Sequence, residues 1–292
     1  MSLFAGLEHI VREDEPLAPY TSLNLGGKAQ YFAEPTNQEE LLELVRRGRA
    51  DNLSLRVIGG GSNLIVRDEG VRGLVIHLSA PNFNKLEVHG DRMTVGGGVR
   101  LSHFVATSAR EGFVGPEHLV GLPGTVGGAL HCNTGSGGND IGNWCTKATA
   151  LTRAGEVVVR TADNMSFSYL SSSLNELAII EAEFQFERDN AEKLTRQMQR
   201  NWIVRRVRQP AIDEPNAYIF KDHGGEPASE LIERAGLKGK HVGHVTMFDQ
   251  NPNYFIVRSG AKAADVLQLV ELVRAQVRER LGIELSLAVQ IW

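Results

Sequence analysis

Residues 57–66 read VIGGGSNLIV, an apolar run broken by three glycines, a serine and an asparagine. Glycine after a strand lets the chain turn and lets backbone amides approach an anion closely, because no Cβ intervenes. Gly59, Gly60 and Gly61 hold that position, Ser62 and Asn63 add side-chain donors, and Leu64 resumes the apolar run. A second cluster, GLPGTVGGALHCNTG at 121–135, offers the same resource through Gly121, Gly124, Gly127, Gly128 and Gly135, with Thr125 and Asn133 among them. Two such loops could hold both ends of a pyrophosphate-containing ligand. The residues alone leave open a plain tight turn at the first and a hinge at the second. Neither familiar nucleotide motif fits: a GxGxxG loop would open a helix, whereas Leu64-Ile65-Val66 has strand composition, and no GKS or GKT follows.

The elements that must position these loops are legible in part. Thr36 to Glu39 spell a capping box ahead of the stripe Leu41, Leu44 and Val45, which predicts a helix ending near Asp51-Asn52. Strands are predicted at 55–58 and 73–78, and two hairpins at 85–95 and 148–161, turning at His89-Gly90-Asp91 and Arg153-Ala154-Gly155. Between the hairpins, 101–111 reads as a helix closed by Gly112. Ala178, Ile180, Ala182, Phe184 and Phe186 alternate with Ile179, Glu181, Glu183 and Gln185, as in a half-buried strand. Leu194, Met198 and Trp202 predict a helix over 190–206 with a basic end, and 209–215, with Pro210 and Pro215, reads as a linker. Beyond it come a helix at 227–235, a strand at 253–257 and a helix at 263–281 striped by Val266, Val270, Val273, Val277 and Leu281.

With 292 residues the chain is long enough for two or three units. A net charge of -4 gives no general pull toward nucleic acid or an anionic membrane, so neither partner is expected. Cys132 and Cys145 are too few for a disulfide framework and lack zinc-ligand spacing, so no metal is expected and a reducing cytoplasm fits. His103, His131 and Cys132 read as surface or packing residues, and Arg205, Arg206 and Arg208 as a solvated helix end. The oligomeric state is not written in the sequence.

Four stretches, TSLNLGGKAQYFAEP (21–35), VIGGGSNLIVRD (57–68), GLPGTVGGALHCNTG (121–135) and AGLKGKHVGHV (235–245), resemble the UDP-N-acetylenolpyruvoylglucosamine reductase family, in order and over nearly the whole chain. The resemblance implies an α+β protein: a two-lobed FAD-binding fold of the vanillyl-alcohol-oxidase (PCMH-like) type plus a C-terminal α/β substrate-binding domain. The implied divisions are 1–79 and 80–208 for the two lobes and 209–292 for the last domain. The implied FAD contacts are Thr21, Gly59, Gly60, Gly61, Ser62, Asn63, Leu64, Gly121, Pro123, Gly124, Thr125, Gly127, Gly128, Asn133, Gly135 and Ile179. NADPH is the implied hydride donor, and a sugar nucleotide of peptidoglycan precursor synthesis the implied substrate, with Tyr169, Lys221 and Asp222 at substrate positions.

The chain departs from the family where the reaction is made. The family's GSxFKNP segment, whose serine donates the proton, corresponds to AYIFKDH at 217–223, with Tyr218 at the serine, Asp222 at the asparagine and His223 at the proline. The arginine of its YRxS segment corresponds to Leu170, after Tyr169, and the glutamates of its LEPEV end correspond to Ser286 and Ala288. Tyr218 is then the one remaining catalytic candidate. The departures point to an FAD-holding member without the family reaction; the alternatives are a non-catalytic paralogue binding FAD or a sugar nucleotide, and an FAD oxidoreductase with another substrate.

Overall fold

The computed structural model describes residues 3–211 and 213–292; Ile212, in the expected linker, and residues 1–2 lie outside the described residues. The chain forms two compact units, each assembled from separate stretches: residues 1–15, 29–60 and 72–203 in the first, and 16–28, 61–71 and 204–292 in the second.

The first unit is built on two sheets. In one, the strands run in the order Val11–Pro16, Lys28–Ala33, Val71–His77, Leu55–Ile58. Its last two strands are parallel, with Leu55 opposite Leu74 and Ile58 opposite His77. Helix α1, Gln38–Ala50, buries Leu41, Leu44 and Val45 as the stripe requires. Its cap is one residue later than the sequence motif suggests. Asn37 caps the helix by accepting from the Glu40 amide at 2.9 Å, and Glu40, not Glu39, reaches back to accept from the Thr36 amide and hydroxyl at 2.7 and 2.8 Å. Asparagine caps about as well as serine and better than threonine, so the later register wins.

The other sheet is antiparallel, in the order Val157–Thr161, Cys145–Leu151, Ala178–Gln185, Arg92–Gly96, Leu86–His89. Both predicted hairpins are in it. Helices α2, Leu101–Glu111, and α3, Val126–Cys132, contribute to its core, where the Phe104 and Phe184 rings lie 4.9 Å apart. The predicted alternation along 178–186 breaks at a bulge between Thr149 and Ala150 of the partner strand. Ile179 therefore joins the core of Ala182 and Phe184, whereas Ala178 and Ile180 join a second core with Leu41, Leu44 and Leu74. An extra residue in one strand shifts the two-residue period, and one strand serves two cores.

Helix α4, Ala191–Arg208, belongs to the first unit up to Ile203 and to the second from Val204. Leu194 is buried, but Trp202, expected on the same stripe, is exposed.

The second unit carries an antiparallel sheet in the order Asn216–Tyr218, Asn251–Val257, Val245–Phe248, His241–Val242. Helices α5, Ala228–Arg234, and α6, Ala263–Leu281, pack with it into one core. Val266, Val270, Val273 and Val277 are fully buried, as their spacing predicts. Leu23 and Ile65 enter the same core from the earlier stretches. Ile65 is brought there by a parallel pairing of Leu64–Ile65 with Gln290–Ile291, and the Asp68 carboxylate accepts from the Ala263 and Ala264 amides at 2.9 and 3.0 Å at the start of α6.

The corrected cap makes a stability prediction. Asn37→Ala costs about 1 kcal/mol in urea unfolding, whereas Glu39→Gln stays within about 0.5 kcal/mol; equal effects would restore the earlier register.

Candidate functional site

In the first unit the two glycine clusters meet. A Cβ on Gly60 would lie 2.7 Å from the Gly124 Cα, so the loop after Leu55–Ile58 and the second cluster touch backbone to backbone. The second cluster is not all loop. Thr125 caps α3 by accepting from the Gly128 amide at 3.3 Å, and the helix ends at Asn133, whose φ of 47° is left-handed. A seven-residue helix rich in glycine carries too little periodicity to be read from sequence.

The second cluster is itself held by a third glycine run, Gly96-Gly97-Gly98, which sequence reasoning passed over. Val126 donates to the Val99 carbonyl and Gly127 to the Gly97 carbonyl, both at 2.8 Å, while Gly97 donates to Ile180 at 2.7 Å. The signal was available: this run follows the strand Arg92–Gly96 as Gly59–Gly61 follows Leu55–Ile58. Ile179 is buried beside it, with its carbonyl against Gly97 and Gly127.

Asn133 and Gly135 hold the far end of the cluster. The buried Asn133 side chain donates to the Ser168 carbonyl at 2.8 Å and accepts from the Gly142 amide at 3.1 Å, so its polar atoms serve the protein. Gly135 packs on Asp140, whose carboxyl is pushed up by burial, an effect the Asn133 amide partly offsets. His131 is half-buried and its Nδ1 donates to the Leu174 carbonyl at 2.8 Å, a packing role; His103 is exposed on α2.

In the second unit, Gly61 has a φ of 60°, and a Cβ there would overlap the Tyr20 carbonyl oxygen. Ser22 donates its amide to the Gly61 carbonyl at 3.1 Å. Thr21 is buried and its hydroxyl donates to the Leu25 carbonyl at 2.8 Å. The Ser22 hydroxyl is buried and has no hydrogen-bond partner among the described residues. An orphaned donor beside Gly61, and glycine backbones with no side chains in the way, fit a phosphate-bearing ligand.

The same unit also joins two segments far apart in sequence. Lys221 donates its amide to the Ser286 carbonyl at 2.9 Å and Ala288 donates to Ile219 at 2.8 Å, with Phe220 opposite Leu287. AYIFKDH and LSLAV are thus neighbours. The Tyr218 hydroxyl donates to Asp222 Oδ1 at 3.1 Å, which also accepts from the Ala228 amide at the start of α5 at 3.0 Å. The Tyr218 ring meets Tyr254 edge-on at 5.2 Å, and Gln209 donates to the Tyr254 hydroxyl at 2.8 Å. Arg205 is not a solvated helix end: burial pulls its guanidinium down, an effect Tyr254 opposes, and burial pushes the Tyr254 phenol up. Tyr254 did not stand out in the sequence, and Arg205 stood out only as part of a basic helix end. In the first unit, Tyr169 and Leu170 form the tip of the turn between Phe167–Ser168 and Ser171–Ser172, with Tyr169 52% exposed and Leu170 at a φ of 47°. Among the described residues no group of three or more His, Cys, Asp or Glu is placed to hold a metal ion.

Residues 29–161 match the FAD binding domain family, and residues 209–292 match the family described as the UDP-N-acetylenolpyruvoylglucosamine reductase C-terminal domain. With the sheets and helices above, these matches define an α+β protein that carries an FAD binding domain followed by a reductase C-terminal domain. A grass pollen allergen with glucose dehydrogenase activity shares the fold alone, at a TM-score of 0.52 and 14% identity over 75% of this chain and 53% of its own. The solved UDP-N-acetylenolpyruvylglucosamine reductase of Thermus caldophilus is far more similar, with a TM-score of 0.80 and 31% identity over 97% of this chain and 98% of its own. The reductases of Rhodopirellula baltica and Bacillus velezensis are 37% and 36% identical, covering 98% and 96% of this chain and 94% and 93% of theirs. The chain belongs to the UDP-N-acetylenolpyruvoylglucosamine reductase family.

Two outcomes follow from the geometry. Gly60→Val, which sets a branched side chain against backbone, lowers stability by more than about 1 kcal/mol; a variant with an unchanged melting temperature would contradict the backbone approach. Burial pushes the Cys145 thiol up to about 12, so at about pH 8, below that value, it stays protonated. Iodoacetamide then labels Cys145 only after unfolding, which peptide mass spectrometry reads directly.

Proposed function

We propose that this chain holds FAD in its glycine-rich loops and no longer performs the reduction for which its relatives are named. The proposed FAD contacts are those carried over from the family: Thr21, Gly59 to Leu64, Gly121, Pro123 to Thr125, Gly127, Gly128, Asn133, Gly135 and Ile179. Backbone amides of the glycine runs would meet the pyrophosphate, and in the second unit the Ser22 hydroxyl beside Gly61 is a further donor for a phosphate. When bound, FAD would accept hydride from a donor such as NADPH and pass it on; the family acceptor is the enolpyruvyl group of a sugar nucleotide used for cell-wall precursors in the cytoplasm.

What carries the reading is the hydrogen bond from Tyr218 to Asp222. At the position of the family's proton donor, the phenol spends its proton on a carboxylate that is itself anchored by the Ala228 amide. A general acid contributes about 10² to 10⁴ in rate and an electrostatic stabiliser about 10² to 10³. With leucine at 170 and alanine at 288, the other two contributions are gone as well, and although such effects do not add, what remains is too slow to sustain a pathway. Tyr169, Lys221 and Asp222 then act as structural residues or hold a sugar nucleotide without turning it over.

The test is direct. The purified chain is expected to be yellow, to have its flavin reduced by NADPH, and to show no NADPH oxidation that depends on UDP-N-acetylglucosamine enolpyruvate. Substrate-dependent turnover that Tyr218→Phe abolishes would overturn the reading and make Tyr218 the proton donor. A colourless protein would remove the flavin itself.

A further inference from the structure

We propose that the outward face of α4 docks on an anionic lipid surface, with the helix lying in the plane of the headgroups. Seven large apolar side chains are exposed among the described residues, and four of them, Trp202, Ile203, Val204 and Val207, sit on two turns of this helix at 40%, 59%, 61% and 66% exposure. Leu194 is buried on one face. At 3.6 residues per turn, Ile203 and Val207 fall on the opposite face, in one row with Arg196 and Arg200.

Charge chooses the occupant. Within Ala191–Arg208 there are six lysines and arginines against the single Glu192, although the chain as a whole is net -4. Arg200, Arg206 and Arg208 are exposed beside the apolar residues, and Arg196 is exposed while paired with Glu192 at 3.4 Å. A basic helix with Ile203 and Val207 on its outer face and Trp202 at its flank matches a bilayer interface, where cations meet lipid phosphates and apolar groups enter the acyl boundary. A second copy docked through the same row would set these cations against their own kind. A nucleic acid would satisfy the arginines but leave Ile203 and Val207 without a partner. With only two turns of apolar surface, the binding is reversible and salt-sensitive.

The full chain is sedimented with phosphatidylcholine vesicles, with or without phosphatidylglycerol, while tryptophan emission is recorded. Binding to anionic vesicles is expected to exceed binding to neutral ones by about tenfold or more and to fall as salt rises. Ile203→Ser with Val207→Ser, and separately Arg196→Gln with Arg200→Gln, each weaken it about tenfold with unchanged circular dichroism and melting temperature. Trp202→Phe removes the blue shift on binding, leaving Trp144 and Trp292 silent. Absence of binding, or binding that the double serine variant leaves unchanged, overturns the proposal. So does a concentration-dependent dimer, dissolved by the double serine variant, without vesicle binding, or equal affinity for duplex DNA that does not need Ile203 and Val207.

Discussion

Close approach of bare backbone is the constraint on which the rest of the structure depends. At Gly60 no Cβ fits beside Gly124, and at Gly61 none fits beside the Tyr20 carbonyl. These positions would demand glycine in an empty protein, so the glycines alone do not prove a ligand. In the first unit the approach at Gly60 sets the loop after Leu55–Ile58 against the second cluster, whose Val126 and Gly127 amides are in turn held by the Val99 and Gly97 carbonyls. Packing alone leaves this backbone bare of side chains.

On the proposed reading, the same economy explains how a family fold outlives a family reaction. The loops that hold a cofactor are fixed by backbone, and a substitution there breaks packing. The reacting side chains at 170, 218, 286 and 288 are fixed by little except use. Tyr218 has found another partner in Asp222 and a ring neighbour in Tyr254, Arg205 has been drawn in beside Tyr254, and Ser286 and Ala288 contribute backbone hydrogen bonds to their neighbours Lys221 and Ile219. Where the family keeps a serine this chain has a phenol hydrogen-bonded to Asp222, and where the family keeps an arginine and glutamates it has leucine, serine and alanine.

Much of this was legible in the sequence where one physical signal dominated. The stripe of α6 marked both the helix and its buried face, because four valines at helical spacing leave no other solution. The strand Leu55–Ile58 and both hairpins were equally plain. Where two signals competed, the reading slipped: Asn37 beat Thr36 for the cap, and a bulge opposite Ile179 reversed the inside and outside of half a strand. The neighbourhood of Lys221 and Ser286 was beyond reach, since the pairing is nonlocal and neither residue's type announces it. Gly96–Gly98 was legible as well, since glycines end the strand Arg92–Gly96 as they follow Leu55–Ile58, but the hairpin pattern before it is the stronger signal.

The partnership of Leu64–Ile65 with Gln290–Ile291, reinforced by the Asp68 carboxylate at the start of α6, has a consequence for synthesis. During translation Leu64 leaves the ribosome long before Gln290, and chains emerge at only about 5 to 20 residues per second. For that interval the segment has its backbone groups unpaired beside a finished glycine loop, a condition in which strand edges recruit foreign partners. The last residues of the second unit therefore act as a latch on a stretch near the beginning, and a nascent chain released early would carry that stretch open.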